Sequence, residues 1–274
     1  MEKIIAIQGG ACSYHHMVSD AYFKENYKIN ECLTFDALAD SLSAKTSDFA
    51  VMAIENSIAG SIIPNYAIVD QNNFSVVGEH YLDIQHQFMV LPGQTIEEIA
   101  EVHSHPMALL QCKVFLKQYP HIKLVEAEDT ALVAQRISEL KIKGIAAIAS
   151  VLAAKTYGLD ILVKSVQTIK HNQTRFMVLS NTPNTDGNYY DKASIKFELD
   201  HKRGSLAALL NVMSDCKLSL TKIQSLPKIE TPWRYSFFVD VTFDDLNDFK
   251  KAEQLIQIMA THFKVLGIYK QATL

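Results

Sequence analysis

Thr174 and Arg175 stand side by side in the stretch His171-Asn172-Gln173-Thr174-Arg175-Phe176-Met177-Val178-Leu179. It opens on polar groups and passes straight into an apolar run of strand character. A hydroxyl at the mouth of a buried strand can hand a proton to a ligand, and a guanidinium can grip a carboxylate through two parallel hydrogen bonds. Glu55-Asn56-Ser57, with Gly60-Ser61, ends another apolar run, Phe49 to Ile54, and offers an amide and a hydroxyl. Ser104-His105-Pro106 precedes an apolar segment. Pro106 fits the first turn of a helix, which places Ser104 and His105 at a helix start favourable to anions. Gln8-Gly9 with Ser13-Tyr14 closes the first strand-like run. Each group also has a structural role open to it. Asn56, Ser57 and Ser13 can cap helices, Arg175 can tie parts of the chain together by an ion pair, and Phe176 can be core. Gln111 and Cys112 read as structural on a helix, the latter a buried thiol. His15 and His16 are adjacent, so on a helix they diverge and form no metal pair.

The elements that must position these groups follow from hydrophobic period. Lys3 to Ile7 and Phe49 to Ile54 read as buried strands, each followed by a polar loop and a helix, the second helix running over 63–70. That alternation is the mark of a parallel α/β sheet, whose ligands lie outside the carboxyl ends of its strands. Val76 to Gly78, Ile84 to Leu91, Ile99 to His103, Ile122 to Val125 and Gly144 to Ile148 supply further strands, with helices opening at Pro106, Asp129 and Val151. Two lobes result, about 1–80 plus 165–182 and 81–164, forming one domain over 1–182. Asn181 to Tyr190 reads as a linker. Residues 190–274 then run β-α-β-β-α-β, the ferredoxin-like order.

Composition limits the function classes. The chain has 274 residues, 48% hydrophobic and 20% charged, with net charge −4, an ordinary balance for a globular protein. No dense basic block points to nucleic acid or anionic membrane as partner. The four cysteines are scattered without a CxxC pair, which argues against a zinc site or disulfide framework and fits a cytoplasmic location. The longest apolar run, near Ile145 to Ala154, is too short to span a bilayer.

These stretches together resemble prephenate dehydratase, with a catalytic domain followed by an ACT regulatory domain. The resemblance rests on Gln8-Gly9 with Ser13-Tyr14, Glu55-Asn56-Ser57 with Gly60-Ser61, Ser104-His105-Pro106 with Ala108-Leu109 and Gln111-Cys112, and Thr174-Arg175-Phe176. In the second domain it rests on Gly204-Ser205-Leu206, Ser225, Pro227 and the strand Tyr235 to Asp240. It implies a two-lobed, periplasmic-binding-protein-like catalytic domain and decarboxylating dehydration of prephenate to phenylpyruvate without cofactor or metal. It implies Thr174 as donor to the leaving hydroxyl, with Arg175, Asn56, Ser57, Ser104, Ser13 and Phe176 around the substrate. It also implies L-phenylalanine as an inhibitor held by Gly204, Ser205, Leu206, Ser225 and Leu226, and a homodimer or homotetramer. Two departures stand out. Cys12 occupies the family's glycine position before Ser13-Tyr14, and Gln224-Ser225-Leu226-Pro227 replaces the charged Glu-Ser-Arg-Pro. Arogenate is the rival substrate, and a non-catalytic amino-acid sensor is the rival class. The complete Thr174-Arg175-Phe176 and Asn56-Ser57 set favours the enzyme.

Overall fold

A computed structural model describes residues 2–185, 189–200, 202–228 and 231–273. Residues 186–188 of the expected linker lie outside the described residues. The chain begins β1 (Lys3–Gln8), α1 (Tyr14–Phe23), β2 (Tyr27–Cys32), α2 (Phe35–Ser43), β3 (Phe49–Asn56), β4 (Gly60–Ser61), α3 (Ile63–Gln71) and β5 (Ser75–Asp83). It continues β6 (Gln87–Val90), β7 (Glu101–Ser104), α4 (Pro106–Gln111), α5 (Lys113–Leu116), β8 (Lys123–Glu126), α6 (Thr130–Glu139), β9 (Ile145–Ala149), α7 (Val151–Tyr157) and β10 (Asp160–Val163). After β11 (Gln173–Ser180) come β12 (Lys192–Glu198), α8 (Ser205–Asp215), β13 (Ser219–Pro227), β14 (Tyr235–Thr242), α9 (Leu246–Met259) and β15 (His262–Tyr269).

Two compact units are present, Met1–Gly60 with Tyr81–Phe176, and Ser61–His80 with Met177–Leu274. Strands β5 and β11 each run across the boundary. The first sheet has the order β2-β1-β3-β11-β5, with β4 beside β3, and β1 pairs parallel with both β2 and β3. The second sheet has the order β10-β6-β9-β7-β8, parallel along β9-β7-β8 and antiparallel at β6. Its strands β6 and β9 are buried on both faces, as expected of a sheet covered by helices on two sides. Phe88, Val90, Ala146 and Ile148 enter one core, while Met89, Leu91, Ala147 and Ala149 enter the other with α6 and α7. Side-chain caps start the helices that border the loops. Ser13, Thr34, Asp129 and Ser150 each accept the backbone N–H three residues on, from His16, Ala37, Leu132 and Ala153.

In the second unit the sheet order is β13-β14-β12-β15, antiparallel throughout, which is the ferredoxin-like arrangement. α8 and α9 bury Leu209, Met213, Phe249 and Ile256 against Ile195, Phe197 and Val239. Residues 61–80 pack with this unit rather than with the first lobe alone. Lys192 Nζ meets both Glu79 carboxylate oxygens at 2.9 Å with neither side chain more than 1% exposed. Tyr66 stands edge-on to Phe238 at 5.4 Å. Gly267 lets β15 approach β5 so closely that any Cβ there would run into the Val76 carbonyl.

Strands β2, β5, β6 and β7 differ from the sequence expectation. β2, Tyr-Lys-Ile-Asn-Glu-Cys, was not expected. It is the edge strand of its sheet and has few fully buried residues, so no apolar run marks it. β5 spans nine residues instead of three, and β6 starts only at Gln87. Ser104 ends β7 instead of starting a helix, and His105 is the N-cap, its Nδ1 accepting from the Met107 N–H at 3.2 Å. No helix of the described residues is long and apolar enough to cross a membrane.

Candidate active site

The loops after β1 and β3 and the head of β11 meet at one sheet edge. Ser57 N–H donates to the Gln173 carbonyl at 2.8 Å, and the Gln173 N–H donates to Ser57 Oγ at 3.0 Å. β11 therefore begins where β3 ends. Its amino end lies at the edge formed by the carboxyl ends of its neighbours, where open α/β sheets take ligands.

Asn56 is the hub of this edge and is 8% exposed. Its Oδ1 accepts from the Ile58 and Ala59 N–H groups at 3.0 and 2.9 Å, which fixes the amide's orientation. Its Nδ2 must then donate, and it lies 2.7 Å from Asn172 Oδ1, 3.2 Å from the Gln173 carbonyl and 3.0 Å from Thr174 Oγ1. Thr174 is also 8% exposed. Because Thr174 Oγ1 accepts from Asn56, its own proton is directed elsewhere; among the described residues its hydroxyl has no other side-chain hydrogen bond.

The network continues into the second sheet. Asn172 Nδ2 donates to Gln111 Oε1 at 2.9 Å, and His86 Nε2 lies 3.0 Å from the same oxygen. His86 Nδ1 lies 2.9 Å from the Tyr14 hydroxyl. The loop after β1 is held from that side too. Ser150 Oγ donates to the Cys12 carbonyl at 2.8 Å and the Tyr157 hydroxyl to the Ala11 carbonyl at 3.2 Å. Gly9, at φ +90°, lies so near Asp129 that a Cβ would collide with its carboxylate. Cys12 has φ 68°, the left-handed conformation that suits glycine, and its side chain enters the core under α6 and α7.

Burial keeps the histidines, the thiol and the phenol of this edge uncharged at pH 7. It lowers His86 to about 4 and lowers His105. It raises Cys112 to about 12 and pushes Tyr14 well up, helped by nearby Cys112 and Asp129. Burial also raises Asp129, opposed by the backbone N–H groups of Leu132, Ala131 and Gly10. Besides the Asp129 carboxyl, which backbone N–H groups hold, the edge offers a ligand neutral, oriented dipoles.

The remaining expected residues are distributed as follows. Ser57 is exposed and Ser13, 3% exposed, caps α1. Ser104 is fully buried and spends its proton on the Ile148 carbonyl at 2.6 Å. Arg175 is 4% exposed, and strand alternation turns it to the sheet face opposite Thr174. Phe176 is 1% exposed and stacks edge-on against His15 at 5.0 Å, a packing role. In the second unit Gly204, at φ 84°, precedes α8, and the Ser205 hydroxyl donates to the Lys202 carbonyl at 3.1 Å. Ser205 and Leu206 line a cavity of about 130 Å³ with Leu199, Lys202, Arg234 and Phe237. Ser225 and Leu226 pair with Phe237 and Ser236 along β13. Sequence reasoning gave no functional place to Asn172, His86 or Tyr14 and took Gln111 as structural. Asn172 was legible in principle, since it lies two residues before Thr174.

Comparison with known proteins gives the family. The prephenate dehydratase family model matches residues 5–184. A bifunctional chorismate mutase/prephenate dehydratase from Buchnera aphidicola subsp. Schizaphis graminum is 31% identical over 94% of this chain and 68% of its own length. The Arabidopsis thaliana protein "Arogenate dehydratase/prephenate dehydratase 2, chloroplastic" is 33% identical over 97% of this chain and 72% of its own. Among solved structures, one described as "GqqA- a novel type of quorum quenching acylases" superposes with TM-score 0.86 at 25% identity over 98% of both chains. Prephenate dehydratase from Staphylococcus aureus subsp. aureus Mu50 superposes with TM-score 0.83 at 24% identity over 97% of this chain and 99% of its own. The family match over most of the first two sheets, joined to Thr174 and Asn56 at one strand edge, makes this chain a member of the prephenate dehydratase family.

Proposed function

We propose that the chain catalyses the decarboxylating dehydration of prephenate to phenylpyruvate in phenylalanine biosynthesis. The carboxylate leaves the ring as carbon dioxide. Its bonding electrons enter the ring and expel the hydroxyl at the opposite carbon, which takes a proton and departs as water. The ring becomes aromatic, so the chemistry runs downhill. The enzyme must orient a dianion and supply a proton donor to the leaving oxygen. The observation that carries this reading is the Asn56–Thr174 hydrogen bond, 3.0 Å long, with Thr174 as acceptor. It leaves the Thr174 proton for the leaving hydroxyl, and Asn56 stabilises the oxygen as its proton is drawn away. Ser57 and Ser13 offer further polar contacts at the same edge. Arg175 acts either as a carboxylate clamp or as a structural tie, and its turn to the opposite sheet face favours the tie.

Purified protein should convert prephenate to phenylpyruvate, read by the product's absorbance in alkali. Thr174→Ala should lower kcat by about 10²-fold or more, the size typical of a lost proton donor, with KM little changed. Absence of product, or full turnover in Thr174→Ala, would refute the reading. A second substrate is favoured by the Arabidopsis relative's name. Parallel kinetics on arogenate and prephenate decide the preference.

Residues 190–274 are the regulatory ACT domain in this reading. The cavity beside Ser205 and Leu206 supports L-phenylalanine as effector. Exposed Leu220 and Ile223 on edge strand β13 support side-by-side pairing into at least a dimer. A cytoplasmic location accords with four free cysteines.

A further inference from the structure

We propose that His86 is a positioning residue: by donating from Nε2 to Gln111, it holds the amide chain Gln111–Asn172–Asn56 in the one direction that leaves the Thr174 proton free. This inference rests on the reading of Thr174 as the donor to the leaving group.

Each amide in the chain can turn over, exchanging its oxygen and nitrogen. With the orientation described, every link pairs a donor with an acceptor. His86 Nε2 and Asn172 Nδ2 give to Gln111 Oε1 at 3.0 and 2.9 Å, and Asn56 Nδ2 gives to Asn172 Oδ1 and Thr174 Oγ1. Reverse Gln111, and either its nitrogen faces the Asn172 nitrogen or the other amides turn with it, Asn56 against the two backbone N–H groups that hold it. Asn172 would then present nitrogen to Asn56, and Asn56 would present oxygen to it and to Thr174. The Thr174 proton would be captured by Asn56 and lost to the substrate. The reversed state would also set the Asn56 NH₂ against the Ile58 and Ala59 N–H groups, which now donate to its oxygen.

His86 is placed to enforce this choice. It is 3% exposed. Its backbone N–H donates to Gln167 Oε1 at 3.0 Å and its carbonyl accepts from Val166 at 2.8 Å, which fixes the backbone that carries the ring. Tyr14 closes the far side, its hydroxyl 2.9 Å from Nδ1 and 3.1 Å from the Gln85 carbonyl; in the Nε2–H tautomer the nearer acceptor, Nδ1, takes its proton. Gln111 sits at the end of a six-residue helix on a long side chain with much rotamer freedom. Without His86, one hydrogen bond from Asn172 would have to hold it.

Three variants test the proposal, with Thr174→Ala as reference. His86→Gln keeps a donor at about the Nε2 position. His86→Glu, of the same shape, presents only acceptors and pulls the Gln111 nitrogen toward itself. His86→Leu offers neither. Expected is a kcat loss on prephenate of about 10- to 100-fold for Leu and Glu, in the range of a misplaced catalytic group. KM should stay within about three-fold, and His86→Gln should recover most of the turnover. A merely structural role would lower the melting temperature of all three without separating Gln from Glu in kcat. Equal kcat for Gln and Glu, or undiminished kcat in Leu, overturns the inference while the reading of Thr174 stands on its own variant. If the Glu protein fails to fold, the Leu and Gln pair decides alone. Nitrogen-15 NMR at pH 7 should find the His86 proton on Nε2, and a proton on Nδ1 alone would also overturn it.

Discussion

Lowering the pH should destabilise the catalytic unit through His15, by an amount the structure sets. His15 lies on the inner face of α1, its Nε2 accepting from the Ala53 N–H of β3 at 3.3 Å. Its ring packs edge-on against Phe35 at 5.7 Å and Phe176 at 5.0 Å, directly beneath the Thr174-Arg175 strand. Burial lowers its pKa from 6.5 to about 3. In the unfolded chain it protonates near the ordinary value. Below pH 6.5 the unfolded state thus binds a proton that the native state refuses. This contribution favours the native state least at low pH: it is intact above pH 6.5 and lost as pH falls toward 3. Between pH 7 and 4.5 the loss is about 2.5 kcal/mol, at 1.36 kcal/mol per pH unit over nearly two units. That is a large part of a typical 5–15 kcal/mol total.

The assay is urea unfolding followed by far-ultraviolet circular dichroism at pH 7 and pH 4.5, on the wild type and on His15→Gln. Glutamine can still accept from Ala53 but does not titrate. It loses two ring contacts, a cost of about 1–3 kcal/mol that is the same at both pH values and cancels in the comparison. Other acid-sensitive groups, His86 among them, are common to both proteins. The wild type should therefore lose about 2.5 kcal/mol more than the variant on acidification. Equal losses in the two proteins would refute a native His15 held neutral by burial.

Asn56→Asp should separate the two duties of that residue. A carboxylate still accepts from Ile58 and Ala59 but cannot donate to Thr174, so kcat should fall about 10²-fold with a smaller drop in melting temperature than for Asn56→Ala; unchanged kcat would remove the donor role. Cys12→Gly should be at least as stable as Cys12→Ala in urea, reversing the usual glycine deficit of about 0.5–1 kcal/mol, because only glycine relieves the left-handed φ of 68°. L-Phenylalanine should raise the melting temperature of the full chain, by the equivalent of about 2.7 kcal/mol at 100 times its Kd, and lower prephenate turnover. If neither moves, the ACT reading of the cavity at Ser205 and Leu206 fails.

Much of this was legible in the chain. The strand ends at Gln8, Asn56 and Thr174 were marked by buried runs breaking into polar residues, and a period change marked the ferredoxin-like half. What escaped was set by distance in sequence. Tyr14, His86, Gln111 and Asn172 join in one chain across 158 positions, and no local pattern distinguishes them from ordinary polar residues at element ends. Ser104 shows the converse. Its neighbours Pro106 and His105 suggested a helix start, but pairing with β8 extends β7 through Ser104, and its hydroxyl turns inward to Ile148. The grouping of 61–80 with the C-terminal half was equally invisible, since it depends on Glu79 meeting Lys192 and on Gly267 admitting Val76.

The neutrality of the donor chain has a mechanistic consequence. The proposed substrate carries two carboxylates and expels a hydroxyl, so a fixed cation would bind ground state and transition state alike, and only differential stabilisation raises kcat. Oriented neutral dipoles do less for the bound carboxylates and more for the oxygen that gains charge as its bond to carbon lengthens. If this arrangement carries the reaction, no group in it should titrate near neutrality. His86, at about 4, and His105, lowered by burial, are already neutral at pH 7. Cys112, at about 12, and Tyr14, raised well above its ordinary value, keep their protons to pH 9. The kcat for prephenate should accordingly be flat from pH 7 to 9. An inflection inside that window, absent from the stability profile, would mean that an ionising side chain rather than the Asn56–Thr174 dipole supplies the proton.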